Sequence, residues 1–147
     1  MIEEMIKDGY LIRTSPDARK AEKSLELAKN KIAKAKAELN ADITDNAIVS
    51  AYTSMFHSAR ALLFLDGFKE RNHYAVCQFL REKYQKRIEM KYITELNVLR
   101  TIRHKVIYGD EDTNIKEVQE SEAESAIKMA EGFLKSVGRI VRRRAEP

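Results

Sequence analysis

Hydrophobic residues recur every three or four positions along most of this chain, which is the spacing of one face of an α-helix. In residues 16–40 the repeated positions are mostly alanine, and lysine and glutamate fill the outward positions. Ser15, Pro16 and Asp17 are typical of a helix start, with a hydroxyl cap, a proline at the first helical position and an acid in the first turn. The pattern predicts a long helix over 16–40 that packs closely against its neighbours.

A second predicted helix ends at Gly67 and is apolar around most of its circumference. Thr44 or Asp45 can cap its start, and glycine is the residue that most often ends a helix in the left-handed conformation. Aromatic residues such as Tyr52 broaden its apolar face of alanine, methionine and leucine. A helix with so little polar surface is expected at the centre of the fold.

The same spacing predicts several further helices. They cover residues 72–84, 92–108 and 115–141, with a short helix over 2–9 closed by Gly9. We therefore predict an all-α fold, an antiparallel bundle of about five helices. Residues 1–15 are expected to form an N-terminal extension, 16–141 the bundle and 142–147 a basic tail into which the last helix frays.

Composition narrows the class of protein. Five glycines and two prolines in 147 residues are too few turn formers for a many-stranded sandwich or barrel. The single cysteine, Cys77, excludes a disulfide scaffold and fits a reducing cytoplasm, and its place within a helix predicts a buried, inert thiol. We find no apolar run long enough to span a membrane and no secretory signal, so we expect a cytoplasmic protein without membrane contact.

The net charge of +4 combines segments of opposite sign. Residues 69–105 hold ten basic and four acidic residues, residues 110–131 hold two basic and eight acidic ones, and residues 135–147 are basic again. A basic segment that contains tyrosines is typical of a nucleic-acid-binding surface. On charge alone, solvated helix faces paired with the acidic stretch are the simpler interpretation.

Widespread motifs for catalysis or phosphate binding are missing from the sequence. It contains no glycine-rich nucleotide loop, no serine-nucleophile motif and no HExxH zinc motif. His57, His73 and His104 lack the spaced companions of a metal site, so we expect neither a metal nor a cofactor. His73 opens the third predicted helix, where it is placed to line a cleft.

An unusual cluster of polar residues lies near the end of the fourth predicted helix. Arg100 and Arg103 are one helical turn apart, so their two guanidiniums can bind one phosphate together. His104, Lys105 and Tyr108 add an imidazole, an amine and a phenol within the next turn. The alternative is that both arginines pair with acids of a neighbouring helix.

Residues 51–63, AYTSMFHSARALL, closely resemble the second helix of the HEPN family (higher eukaryotes and prokaryotes nucleotide-binding domain). Residues 20–28 resemble the family's first long helix, and the segments 67–73 and 103–108 follow in the expected order. The resemblance covers residues 16–140 and is strongest to small stand-alone HEPN proteins of bacteria and archaea. It implies a helical bundle that forms a homodimer, with two arginine motifs facing across a shared cleft.

Many HEPN proteins are metal-independent endoribonucleases with an arginine that is followed, after a short spacer, by a histidine. They often act as toxins and are commonly encoded beside a minimal nucleotidyltransferase that neutralises them. By resemblance Arg103 is the motif arginine, His104 is its polar neighbour, and Tyr108 stands where the histidine is expected. Tyrosine is a poor base for a ribose 2′-hydroxyl at neutral pH, but it can donate a hydrogen bond to phosphate.

These observations lead to one main hypothesis, a homodimeric HEPN protein that binds RNA or a nucleotide in the dimer cleft as the toxin-like or accessory partner of a minimal nucleotidyltransferase. The predicted binding residues are Arg100, Arg103, Lys105 and His73, and the predicted catalytic residues, if RNA is cleaved, are Arg103, Tyr108 and His104. Two alternatives stay open. One is an active metal-independent endoribonuclease, and the other is a non-catalytic protein-interaction module.

Overall fold

The computed structural model describes residues 1–109 and 119–145, which form a helical bundle with one small sheet. In chain order the elements are α1 (Ile2–Lys7), β1 (Leu11–Arg13), α2 (Ala18–Asn40), α3 (Thr44–Asp66), β2 (Phe68–Glu70), α4 (His73–Tyr84), α5 (Met90–Tyr108) and α6 (Glu120–Ala145). The predicted all-α bundle is confirmed, including the short first helix before Gly9. The predicted start of the last helix at residue 115 and the acidic turn before it lie outside the described residues.

Helix α3 is the centre of the bundle, as its apolar circumference predicts, and it packs against α2, α5 and α6. Ala21, Ala28 and Ala35 of α2 are fully buried and allow α2 and α3 to approach closely. At this contact the Ser54 hydroxyl of α3 donates to the backbone carbonyl of Ala28 at 2.7 Å. Small residues and satisfied buried hydroxyls therefore hold the two long helices together.

Helix α2 begins later than the sequence predicts. Its N-cap is Asp17, whose carboxylate accepts a hydrogen bond from the Lys20 N–H at 3.0 Å, so the prediction of Ser15 as cap and Pro16 as first helical residue is wrong. The reason is tertiary, because the Thr14 N–H donates to the Gly67 carbonyl at 2.8 Å. This contact keeps the chain before Asp17 extended beside the end of α3.

The sequence predicts the end of α3 correctly but not the residue that caps its start. Thr44 and Asp45 do not cap the helix, which starts at Thr44 after Ile43 without a side-chain cap. Asp45 instead accepts a hydrogen bond from the Asn46 N–H at 2.8 Å. Gly67 ends the helix in the predicted left-handed conformation, with φ of 85°. A Cβ atom there would lie 2.7 Å from the backbone oxygen of residue 14, so a side chain does not fit.

The sheet is an element that helical periodicity does not predict. Strands β1 and β2 pair antiparallel, with Leu11 opposite Glu70 and Arg13 opposite Phe68. Leu11 and Phe68 are buried in the core cluster, together with Ile2 of α1. The sheet and α1 therefore attach residues 1–15 to the rest of the fold.

Helix α6 continues to Ala145, beyond the predicted end at residue 141 and through the arginines that were expected to fray. Its last turn is held by Arg144, which forms an ion pair with Asp66 and donates to the Tyr84 hydroxyl at 3.0 Å. The Asp66 carboxylate is only 5% exposed and also accepts from Tyr84 at 2.5 Å. None of the helices in the described parts of the chain is long and apolar enough to cross a membrane.

Candidate functional site

A cleft of about 370 Å³ opens where the start of α4 meets the second half of α5. Its lining consists of His73, Arg100, Thr101, Arg103 and His104. Four of these residues come from successive turns of α5, and His73 is the first residue of α4. No carboxylate belongs to the lining contributed by the described residues, so the cleft favours an anion.

Helix α5 holds its arginines at the edge of the core. Ile93, Leu96 and Leu99 are buried beneath the helix, while Arg100 and Arg103 are half-buried. The Asn97 side-chain oxygen accepts hydrogen bonds from Arg100 at 3.2 Å and 3.4 Å. Within residues 1–109 and 119–145, no acidic side chain forms an ion pair with either arginine. The described fold thus contains no ion pair of the kind that the alternative interpretation requires.

Arg103 is oriented by an aromatic ring beneath it. The centre of its guanidinium lies 5.8 Å from the ring centroid of Tyr52, a cation–π contact. Tyr52 belongs to α3 and is buried, as the sequence predicts. This contact connects the cleft to the central helix and limits the conformations that the Arg103 side chain can adopt.

His73 is held on two sides. Its Nδ1 atom lies 2.6 Å from the Tyr52 hydroxyl, and its ring packs against Phe56 with 4.2 Å between centroids. Asn72 starts α4 by accepting a hydrogen bond from the Ala75 N–H at 2.8 Å, which fixes the backbone at His73. The Arg60 guanidinium also lies over the Phe56 ring, 5.6 Å from its centroid.

The protonation of this pair follows from its surroundings. Burial, together with the positive charges of Arg103, Arg100 and Arg60, lowers the pKa of His73 below its ordinary value, so the imidazole is neutral near pH 7. Burial, reinforced by the nearby Cys77, raises the pKa of Tyr52, so its phenol stays protonated.

A buried hydroxyl must donate to an acceptor, and Nδ1 of His73 is the acceptor that the structure places against Tyr52. We therefore assign the Tyr52 O–H as the donor and Nδ1 as the acceptor. The proton of the neutral ring then lies on Nε2, which makes no hydrogen bond to the described residues. The imidazole consequently offers the cleft an N–H donor and not a lone pair that could accept a proton.

The structure brings four of the six predicted site residues to one cleft and leaves two outside it. His73, Arg100, Arg103 and His104 line the cleft, whereas Lys105 and Tyr108 are exposed on α5 and do not. Tyr108 lies at the end of the helix, with its ring centroid 4.8 Å from that of His104. The motif tyrosine is therefore a neighbour of the cleft and not part of its wall.

Sequence reasoning missed Thr101 in the lining and the roles of Tyr52 and Phe56 as supports. Tyr52 and Phe56 are four residues apart on α3, with 6.2 Å between ring centroids, so they share one face of that helix. This spacing was visible in the sequence, but it equally describes two core residues. Their contact with His73 depends on how α3 packs against α4, which no local pattern reports.

Comparison with known proteins gives one family match. The model of the HEPN domain matches residues 21–140. A search of curated proteins finds no match. The matched range begins in α2 and ends in α6, so it includes every residue that lines the cleft.

Proposed function

The chain belongs to the HEPN family, and from that premise we propose that it binds the phosphate groups of RNA or of a nucleotide in the cleft lined by His73, Arg100 and Arg103. Membership implies an RNA-related or nucleotide-binding function in general terms. The finer proposal rests on the contents of the cleft.

The proposal rests on several hydrogen-bond donors that converge in the cleft, with no carboxylate among the lining residues that the structure describes. Arg100 and Arg103 project from successive turns of α5, and His73 lines the same cleft from α4. Guanidiniums are suited to phosphate because several N–H groups point the same way. Asn97 and the Tyr52 ring restrict the two arginines before any ligand arrives, which reduces the entropy lost on binding.

The same geometry supports binding better than cleavage. Metal-free cleavage of RNA requires a base that removes the proton of the 2′-hydroxyl. His73 has its proton on Nε2 by the assignment above, and Tyr108 lies outside the cleft. Among the described residues of the lining, His104 is the remaining candidate base, and its side chain is exposed with its ring against that of Tyr108.

The first prediction concerns Arg103. We expect Arg103→Ala to weaken binding of a fluorescein-labelled RNA oligonucleotide about tenfold or more, because one charge-assisted hydrogen bond contributes about 1.5–3 kcal/mol. Fluorescence anisotropy measures the affinity, and electrophoresis of the recovered RNA shows whether it is intact. Arg19→Ala is the matched control, since it removes the same charge from an exposed position on α2. Equal affinity of the two variants would contradict the proposal, and cleavage by wild type but not by Arg103→Ala would favour the ribonuclease alternative.

We further propose that the working unit is a homodimer and that it acts as the toxin-like or accessory partner of a minimal nucleotidyltransferase. Family membership supports both statements. Ile107 of α5, one helical turn after Arg103, is apolar and nearly half exposed, which is consistent with a second subunit packing beside the cleft. A reading frame for a small nucleotidyltransferase next to this one would support the pairing, and its absence would count against it.

A further inference from the structure

The most exposed of the large hydrophobic side chains in the described residues is Tyr108, at 69%. Its hydroxyl makes no hydrogen bond to any of these residues, and its ring contacts the ring of His104 at 4.8 Å with 43° between the planes. Phosphate binding by the arginines does not explain why the His104 and Tyr108 rings are exposed to solvent beside the cleft.

The position of the pair relative to the cleft is informative. His104 is the next residue after Arg103 and lines the cleft, and Tyr108 lies one helical turn further along α5. One turn advances about 5.4 Å along the helix axis. A nucleotide whose phosphate lies against Arg100 and Arg103 would therefore have its base, or the next base along the strand, within reach of the two rings.

We propose that His104 and Tyr108 form a stacking platform for an unpaired base of the RNA or nucleotide that the arginines bind, so that the cleft prefers a single strand to a duplex. This inference rests on the proposed phosphate binding by the arginines. Unpaired bases stack on aromatic side chains, whereas a duplex keeps the faces of its bases covered by one another. The platform thus selects strands whose bases are free.

This assignment also changes the role expected for the motif tyrosine. As a phosphate donor, Tyr108 would act through its hydroxyl and would have to reach into the cleft, but it does not line it. The cleft already has a neutral donor in the N–H of His73. As a stacking surface, Tyr108 acts through its ring, and the hydroxyl is dispensable.

Substitutions at Tyr108 separate these two roles. We expect Tyr108→Phe to bind a single-stranded RNA 12-mer as wild type does, and Tyr108→Ala to lose about 5- to 100-fold in affinity, the range measured for one stacked base. Inorganic polyphosphate, which carries charge without bases, should bind wild type and Tyr108→Ala equally. The same 12-mer annealed to its complement should bind wild type more weakly than the single strand does.

The chain contains no tryptophan, which provides a direct optical test. Tyr108→Trp places a single indole on the platform, and we expect its emission to be quenched by the single-stranded 12-mer but not by polyphosphate. Tyr74→Trp is the control, since Tyr74 is also about half exposed but belongs to α4 and does not contact His104. Equal quenching of the two variants would contradict a base at Tyr108.

The failures of the two proposals can be told apart. If Arg103→Ala weakens binding but Tyr108→Ala does not, the stacking platform is wrong and phosphate binding stands. If Tyr108→Phe loses as much affinity as Tyr108→Ala, the hydroxyl contacts the ligand and the platform is again wrong. If wild type binds neither the 12-mer nor polyphosphate, the proposed function fails and the platform fails with it.

Discussion

Tyr52 shows how one buried side chain supports several parts of the cleft. Its ring lies under the guanidinium of Arg103, and its hydroxyl orients the imidazole of His73. The ring itself is 2% exposed, so it also belongs to the core. Tyr52 is a positioning residue, since it acts on a ligand only through the two residues that it holds.

Removing the Tyr52 hydroxyl should therefore change His73 without disturbing the core. In Tyr52→Phe the Nδ1 atom loses the donor that favours the neutral imidazole, so the pKa of His73 should rise, while burial and the neighbouring arginines still hold it below its ordinary value. An NMR titration of the His73 ring measures this rise, and RNA affinity at pH 7 should fall about three- to tenfold. Tyr92→Phe, which removes a hydroxyl from another buried tyrosine, is the control. An unchanged pKa in Tyr52→Phe would show that the hydrogen bond does not set the state of His73.

The sequence predicts which residues of the cleft lie together when they belong to the same helix. It does not predict contacts between residues of different helices. Arg100, Arg103 and His104 follow one another on α5, so spacing alone places them on neighbouring turns. The link from Tyr52 to His73 joins α3 to α4 and depends on packing.

At the scale of elements, the start of α4 is the feature that decides where His73 lies. Asn72 caps this helix, so the first helical residue is also the residue that lines the cleft. Loss of the cap would let the first turn fray and would release the imidazole from Phe56.

We expect Asn72→Ala to lower the free energy of unfolding by about 1 kcal/mol, the usual contribution of a side-chain cap, and to weaken RNA binding as well. Urea denaturation followed by circular dichroism measures the first effect, and anisotropy measures the second. Asn72→Ser should restore both, because serine also caps helices. Asp17→Ala removes the cap of α2 and should cost similar stability while leaving RNA binding unchanged. If both cap variants lost RNA binding equally, the effect would be global and the local explanation would be wrong.

The ranges of the helices were predicted well, but the residues that cap α2 and α3 were predicted wrongly. Spacing of apolar residues reflects burial along a whole helix, so α2 to α5 appear in the sequence with nearly correct ranges. The start of α2 is instead set by the approach of residue 14 to Gly67, which are distant in sequence. The strands are three residues long, too short to show an alternating pattern.

For the whole molecule, the basic residues of segment 69–105 fall into two groups that differ in where their charges lie. A count of charges along the sequence does not distinguish these groups. Arg100 and Arg103 face the cleft, whereas other bases pack their charged ends over aromatic rings of the fold. Lys83 lies 5.6 Å from the centroid of Phe68, and Arg87 lies 5.6 Å from that of Tyr84. Only part of the excess positive charge therefore lies at the cleft.

The proposed homodimer is a prediction at this scale. Sedimentation equilibrium at micromolar concentration should give about twice the 17.0 kDa mass of one chain. Ile107→Asp should shift the protein toward the monomer, since it places a charge at an exposed apolar position of α5 one turn after Arg103. Leu27→Asp makes the same kind of change on α2 and should leave the mass unchanged. A stable monomer of the wild-type chain would contradict the shared cleft.

The small sheet has a consequence for the order in which the chain folds. Its strands flank a segment that contains all of α2 and α3, so pairing Leu11 with Glu70 closes a long loop. Closing such a loop in an unfolded chain lowers its entropy, and the few contacts of a three-residue strand pair do not compensate for that loss. Once α2 and α3 have packed as a hairpin, the two strands are already close together, so pairing them loses little further chain entropy. We therefore expect the helical hairpin to form in the first steps of folding and the sheet in the last.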